Sequence, residues 1–298
     1  MIHLDTGTAV LFAIALFAAT VNGALGYGFS SLTVPVALLF FSNRILSPAL
    51  VLVELAVNTW VVILNRRSFA AVKARTLPIL IGLLPGIVLG SYLLSHVNGG
   101  WLKLATYIVI LPFVLLQAAG FRRRLRAERF AAAPIGLGVG TLYATTTISG
   151  PPLALLFNNQ GLEMEEFRAA LGTVRVAETT FTAIAYFALG LFTRRSLELV
   201  APIAPALLIG LPLGTYALRR LTSETFRRIC MSFDAWIIGF GLSRTVIELK
   251  LASSPNAYLI WLAVIAFDLY LLYGYFVNGW FRPRIYARET VLSEENAA

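Results

Sequence analysis

Apolar residues run along this chain in long blocks separated by short polar clusters. Blocks of the roughly 20 residues a bilayer-crossing helix needs lie near 45–64, 76–95, 101–121, 168–193, 197–218, 229–249 and 257–281. Two further stretches are interrupted. The block 7–25 ends in NGALGYGFSS and is followed by a short apolar piece, 32–41; the block 131–147 runs into ISGPP, followed by 153–157. Glycine, proline and small polar residues gather at both interruptions. A helix broken at membrane depth survives only where protein or water satisfies the freed backbone groups, so each stretch predicts a hairpin enclosed by the other segments.

The two interruptions are copies of one another. Gly23 matches Gly140, Pro35 matches Pro152, and Leu38-Leu39-Phe40 matches Leu155-Leu156-Phe157, all at an offset of 117. VELAVNTW (53–60) then aligns with VRVAETTF (174–181) at an offset of 121, and GSYLL (90–94) with GTYAL (214–218) at 124. Matches in the same order with a slowly growing offset indicate an internal duplication. The fold expected is an all-α integral membrane protein with two inverted repeats. Each repeat is a re-entrant broken-helix hairpin plus three transmembrane helices, and one extra C-terminal transmembrane helix follows. The divisions are 1–120 for the first repeat, 121–130 for a basic cytoplasmic linker, 131–250 for the second repeat, and 251–298 for the extra helix and tail.

Basic residues set the orientation. Arg66, Arg67, Lys73 and Arg75 fall in one loop, and Arg122, Arg123, Arg124, Arg126 and Arg129 in another. Arg219, Arg220, Arg227 and Arg228 flank a third, and Arg282, Arg284 and Arg288 lie in the tail. Placing all four clusters in the cytoplasm puts the N-terminus outside and the C-terminus inside, and leaves Arg194-Arg195 outside. His3 and His96, near segment ends, read as solvated. No cleavable signal peptide is expected, because Met1–Thr6 holds Asp5 but no Lys or Arg.

A helix that starts inside the bilayer exposes unpaired N–H groups and the positive end of its dipole, a setting that favours an anion. The second arms of the hairpins would start near Ser30-Ser31-Leu32-Thr33 and Ser149-Gly150-Pro151. Candidate substrate-binding residues are Asn22, Tyr27, Gly28, Ser30, Ser31, Thr33, Asn58, Thr146, Thr147, Ser149, Gly150 and Arg175, with Thr145 beside them. Charges within spans are costly and informative. Glu54 and Arg175 occupy equivalent repeat positions, where a pseudo-twofold axis would bring them together as an ion pair. Glu54 and Glu178 are the candidates for gating or proton coupling. Asp234 and Asp268 also lie in apolar blocks, but Asp268 belongs to the extra helix and is not placed at the site. Gly82, Gly86 and Gly90, echoed by Ala206, Gly210 and Gly214, form stripes suited to close helix packing.

Composition agrees with a membrane chain. Of 298 residues, 58% are hydrophobic and 13% charged, more apolar surface than one soluble core of this length hides. The formal charge of +9 sits in the clusters between blocks, so it reports topology and excludes a nucleic-acid partner. The single cysteine, Cys230, allows neither an intrachain disulfide nor a cysteine metal cluster. No GxxxxGK[ST] motif is present to bind ATP, and no cofactor or metal is expected.

The motifs GYGFSSLTVP (26–35) and SGPPLALLFNNQG (149–161) followed by EFRAAL (166–171) resemble those of the TauE/SafE family of sulfite exporters and related proteins. The resemblance covers about residues 7–250. Phe29-Ser30-Ser31 stands where many members carry further glycines. The resemblance implies a multi-pass carrier of the bacterial inner membrane that exports sulfite, an organosulfonate or a similar small sulfur-containing anion. An inside-negative potential would favour a bare outgoing anion by about 2.3 kcal/mol per charge per 100 mV. The expected partners are that anion and the lipid bilayer, with a homo-oligomer left open. The alternatives are an importer or channel for another small anion on the same scaffold, and an intramembrane enzyme. The last is disfavoured by the lack of a histidine within a span, of HExxH and of GxSxG.

Overall fold

The computed structural model describes residues 6–25, 28–64, 69–119, 128–158, 164–217 and 223–277. Among the described residues the secondary structure is α-helical throughout, with no strand. In chain order the helices are α1 (Thr6–Leu25), α2 (Phe29–Ala37), α3 (Asn43–Leu64), α4 (Phe69–His96), α5 (Gly99–Ala119) and α6 (Glu128–Thr146). There follow α7 (Gly150–Asn158), α8 (Met164–Ala188), α9 (Arg194–Ala217), α10 (Ser223–Glu248) and α11 (Tyr258–Phe276). Within the described residues, Thr6–Ala24, Val72–His96, Gly99–Ala119, Arg194–Tyr216 and Tyr258–Phe276 are long and apolar enough to cross a membrane. At 25 residues α8 has the length, but Arg175, Glu178 and its threonines lower its hydropathy.

Both interruptions foreseen in the sequence are helix breaks. Gly28, at φ 106°, precedes α2, a conformation that glycine adopts without steric cost. Thr147, at φ 60°, ends α6. A β-branched residue in the left-handed region carries strain of about 1–3 kcal/mol, which the surrounding packing sustains. Both short helices are held from α5: Tyr107 Oη donates to the Pro35 carbonyl at 3.0 Å, and Gln117 Nε2 to the Pro151 carbonyl at 2.6 Å.

The longest contacts pair helices from different parts of the chain. α4 lies along α6 and α1 along α9; α5 packs on α10, α3 on α8, α4 on α8 and α3 on α9. α2 reaches α10, α7 reaches α5, and α11 covers α10 and α5. The glycine stripes explain the closest of these. A Cβ at Gly82, Gly86 or Gly90 would lie 1.9, 2.3 or 2.5 Å from the carbonyl oxygens of Ala133, Leu137 and Thr141, so α4 and α6 touch backbone to backbone. The numbers rise together, so the two helices run parallel. On the other pair, Gly210 meets Leu16 and Ala19 while Gly214 meets Thr20 and Ala24, and α1 and α9 are parallel too.

Several boundaries depart from expectation. Lys73 and Arg75 are exposed residues of the first turns of α4 rather than of a loop, because their long stems let the charges leave an apolar helix. α6 begins at Glu128, inside the stretch expected as linker. The block 168–193 does not continue as one helix. Gly190, at φ 64°, ends α8, and Leu191 N–H closes the end on the Tyr186 carbonyl at 2.9 Å, a left-handed C-cap. Arg228 is not a solvated loop cation. It is buried on α10, donates to the Ala118 carbonyl at 2.6 Å and lies 3.4 Å above the Tyr275 ring. One of the last, otherwise unpaired carbonyls of α5 thereby gains a donor. Asp268 accepts from Ser232 Oγ (3.1 Å) and Trp236 Nε1 (2.9 Å), so this charge fastens α11 to α10. His96 is at the exposed end of α4, stacked on Tyr92. His3, Tyr27, Arg66, Arg67, Arg122, Arg123, Arg124, Arg126, Arg219, Arg220, Arg282, Arg284 and Arg288 lie outside the described residues.

Candidate functional site

The starts of α2 and α7 each meet a carboxylate carried by the long helix that follows. Ser30, in the first turn of α2, donates its hydroxyl to Glu54 Oε1 of α3. Ser149, immediately before α7, donates to Glu178 Oε2 of α8 at 2.6 Å. Between them Arg175 Nη2 contacts Glu54 Oε1 at 3.1 Å, with both side chains almost wholly buried. The ion pair expected from the repeat positions is therefore formed. Tyr143, on α6, donates to the other oxygen, Glu54 Oε2, at 2.8 Å.

Glu54 thus receives three donors, one each from α2, α6 and α8. Burying a carboxylate and a guanidinium is costly unless both are paired and hydrogen-bonded. Glu54 meets that condition, but the others meet it only in part. Among the described residues, Arg175 Nε, Glu178 Oε1, Asn22 Oδ1, Thr33 Oγ1, Asn58 Nδ2 and Thr182 Oγ1 are buried without a hydrogen-bond partner. Buried polar atoms are ordinarily hydrogen-bonded, so these six are the ones in the cluster whose bonding capacity the described residues do not fill.

Four further sequence candidates bond to nearby backbone. Ser31 donates to the Gly28 carbonyl at 3.1 Å, and Thr145, Thr146 and Thr147 bond to carbonyls within or next to their own turn. These four shape the breaks. Thr146 Oγ1 also accepts the Ile148 N–H at 3.1 Å, helping the chain to reverse. Among the described residues no side chain caps the first turn of α2. At α7, Pro151 and Pro152 have no N–H to offer, so Gly150 supplies the amide and Ser149 the hydroxyl.

Sequence reasoning did not pick out Tyr143, which looks like any aromatic in an apolar helix. Nor did it identify Thr182, one turn beyond Glu178 on α8. Asp234 is buried on α10 with neither oxygen partnered among the described residues. No group of three or more His, Cys, Asp or Glu residues among those described could hold a metal.

A bundle with five helices long and apolar enough to cross a membrane among the described residues, and a buried charged cluster where two helices break, is that of a multi-pass membrane protein. The chain belongs to the sulfite exporter TauE/SafE family, whose model matches residues 11–239. That span takes in both breaks, Glu54, Arg175 and Glu178, and stops before α11. No curated protein and no solved structure matches the chain significantly.

Proposed function

We propose that the protein is an inner-membrane carrier that exports a small sulfur-containing anion, sulfite or an organosulfonate, through a midplane site between two re-entrant hairpins, α1–α2 and α6–α7. The observation that carries the reading is the buried Glu54–Arg175 pair with Ser30 and Ser149 beside it. One cation and two helix starts converge there, and the positive ends of half-helices attract an anion.

The inverted repeat is part of this proposal, and the helix pairing supports it. Matching α1–α5 with α6–α10 in order turns the pair α4·α6 into α9·α1, α4·α8 into α9·α3, and α2·α10 into α7·α5, while α3·α8 and α5·α10 map onto themselves. All these contacts occur. An odd number of crossings per half inverts the second half relative to the first, and in such carriers one half rocks against the other around a fixed site. Asn22, Thr33 and Asn58 are assigned to the substrate cavity because each keeps an unpartnered polar atom. Tyr27 is assigned to it from its place in the break alone.

In liposomes the purified protein is expected to move sulfite or an organosulfonate such as methanesulfonate; lack of flux for every small oxyanion tested would refute the reading. Ser30→Ala and Ser149→Ala are expected to weaken the apparent affinity about fivefold each. A hydroxyl lost to a charged ligand is worth more, but the same hydroxyl now serves a glutamate, so the net loss is about 1 kcal/mol. Concentration dependence of flux measures it, and normal affinity in both variants would remove the serines from the site. Orientation has its own check. With Cys230 replaced by serine, a Leu4→Cys variant should react with an impermeant maleimide from outside whole cells, as an external N-terminus and cytoplasmic C-terminus require.

A further inference from the structure

The groups best placed to hold an anion between the two breaks are already engaged by carboxylates of the protein. Glu54 Oε1 takes both Ser30 Oγ and Arg175 Nη2, and Glu178 Oε2 takes Ser149 Oγ. A carboxylate held by a guanidinium and a hydroxyl presents oxygens much as a sulfonate or sulfite would. We infer that Glu54 is a tethered stand-in for the transported anion, yielding Ser30 and Arg175 to an incoming monoanion as it takes up one proton. The inference rests on the carrier reading above and adds to it the coupling ion and the residue that binds it.

Charge conservation within a buried site supports the exchange. With all three groups ionised, Glu54, Glu178 and Arg175 sum to −1. A bare monoanion would make the cluster −2, in surroundings that screen like charges poorly. One proton delivered with the anion leaves the net charge as it was, whatever the protonation of Glu178. Glu54 is also equipped to leave. When Ser30 and Arg175 turn to the anion, Tyr143 still holds Oε2, and a protonated Oε1 no longer needs a cation. Arg175 has donors in reserve, since its Nε has no partner among the described residues. Glu178 is the other carboxylate among the described residues of the cluster, but its oxygen bonds Ser149 and not the guanidinium, so it does not occupy the place an anion would take on Arg175. Arg175 and Glu178 of α8 and Tyr143 of α6 lie close enough to Glu54 to interact with it; the other charged residues of α8, Glu165, Glu166 and Arg168, are in its first turns. α2 contributes only the Ser30 hydroxyl. On the other helices packed against α3, the charged residues are terminal: Lys73 and Arg75 on α4, Lys103 on α5 paired with Glu248, and Arg194, Arg195 and Glu198 on α9.

The consequence for transport is specific. A monoanion that travels with one proton moves no net charge, so the membrane potential neither drives nor opposes it; a proton gradient that is acid outside opposes its export, and the anion's own outward concentration gradient must drive it.

The test uses the full-length protein in detergent under weak buffering, with methanesulfonate, a strong-acid anion that does not titrate near neutral pH, and with sulfite after its own titration is subtracted. The expected result is about one proton taken up per anion bound. Affinity should weaken about tenfold for each pH unit of increase where Glu54 is otherwise ionised, since binding that takes up a proton is favoured by acid. In Glu54→Gln the uptake should vanish and the affinity become independent of pH. Binding by the wild type with no proton uptake would overturn the inference and leave the carrier reading intact, and this measurement decides the matter even if Glu54→Gln fails to fold. Undiminished uptake in Glu54→Gln would overturn the assignment to Glu54. Absence of binding for both probes would overturn the carrier reading together with the inference.

Discussion

Replacing Arg175 by alanine is expected to destabilise the protein by about 3–5 kcal/mol and to abolish transport. The reason is asymmetric. Forming a buried ion pair returns little net stability, because desolvation offsets most of the attraction, whereas removing one partner leaves an uncompensated charge in a low-dielectric interior. Glu54 is 2% exposed, so the protein shields it from solvent. Ser30 and Tyr143 would remain as its donors, but neither carries positive charge. A loss of that size is a large part of a typical domain's stability, so the measurable result is a sharp fall in folded yield and melting temperature in detergent.

The double variant Arg175→Ala/Glu54→Gln separates structure from function. With the Glu54 charge gone, the amide oxygen of the introduced glutamine still accepts from Ser30 or Tyr143, and folded protein should recover in part, Glu178 keeping its bond to Ser149 but not the nearby guanidinium. Transport should not recover, because the only cation in the described cluster is absent. Arg175→Lys should fall between the two. It keeps the charge, but a lysine has no counterpart to the Nε group and cannot present a planar fork to an oxyanion. Wild-type stability in Arg175→Ala would mean that the pair contributes nothing to the fold. Wild-type flux in the folded double variant would mean that the cation is dispensable for the anion.

The parts of this site that were legible in the sequence are those where chemistry contradicts its surroundings. Glycine, serine and proline inside apolar blocks announced the breaks before α2 and α7, and an arginine and two glutamates within spans announced the cluster. Equivalent repeat positions then suggested that Glu54 and Arg175 meet. Tyr143 could not be found this way. An aromatic ring is unremarked in a membrane helix, and only the approach of α6 to α3 gives its hydroxyl a carboxylate. Arg228 was misassigned for the opposite reason. Its neighbours are basic and it follows an apolar block, so it read as a loop charge, while the carbonyl end of α5 and the Tyr275 ring that receive it come from distant parts of the chain. Helix ends were similarly obscure: hydropathy continues through Gly190, and its left-handed backbone, not a change of polarity, stops α8. The glycine stripes showed that a close contact exists but not its partner, since small residues spaced by four specify a surface and leave open what lies against it.

That partner determines the other large effect. Gly82→Val is expected to cost roughly 3 kcal/mol or more, at or beyond the upper end of ordinary overpacking, because the obstacle is backbone. Its Cβ would fall 1.9 Å from the Ala133 carbonyl oxygen, and no rotamer change in α6 can move that atom. The two helices must separate, and the contacts at Gly86, Gly90, Gly136 and Gly140 open with them. Gly138→Ala provides the control on α6 itself: its Cβ meets nothing within 4 Å, and alanine's better helix propensity should leave stability unchanged or slightly raised. The functional effect should exceed the structural one. α6 carries Tyr143 and leads through Thr147 to Ser149, so a shift of α6 away from α4 displaces donors to both Glu54 and Glu178. Any Gly82→Val protein that still folds is therefore expected to lose anion flux in liposomes, while Gly138→Ala keeps it. Equal flux in the two variants would show that the α4–α6 contact supports the bundle without positioning the site.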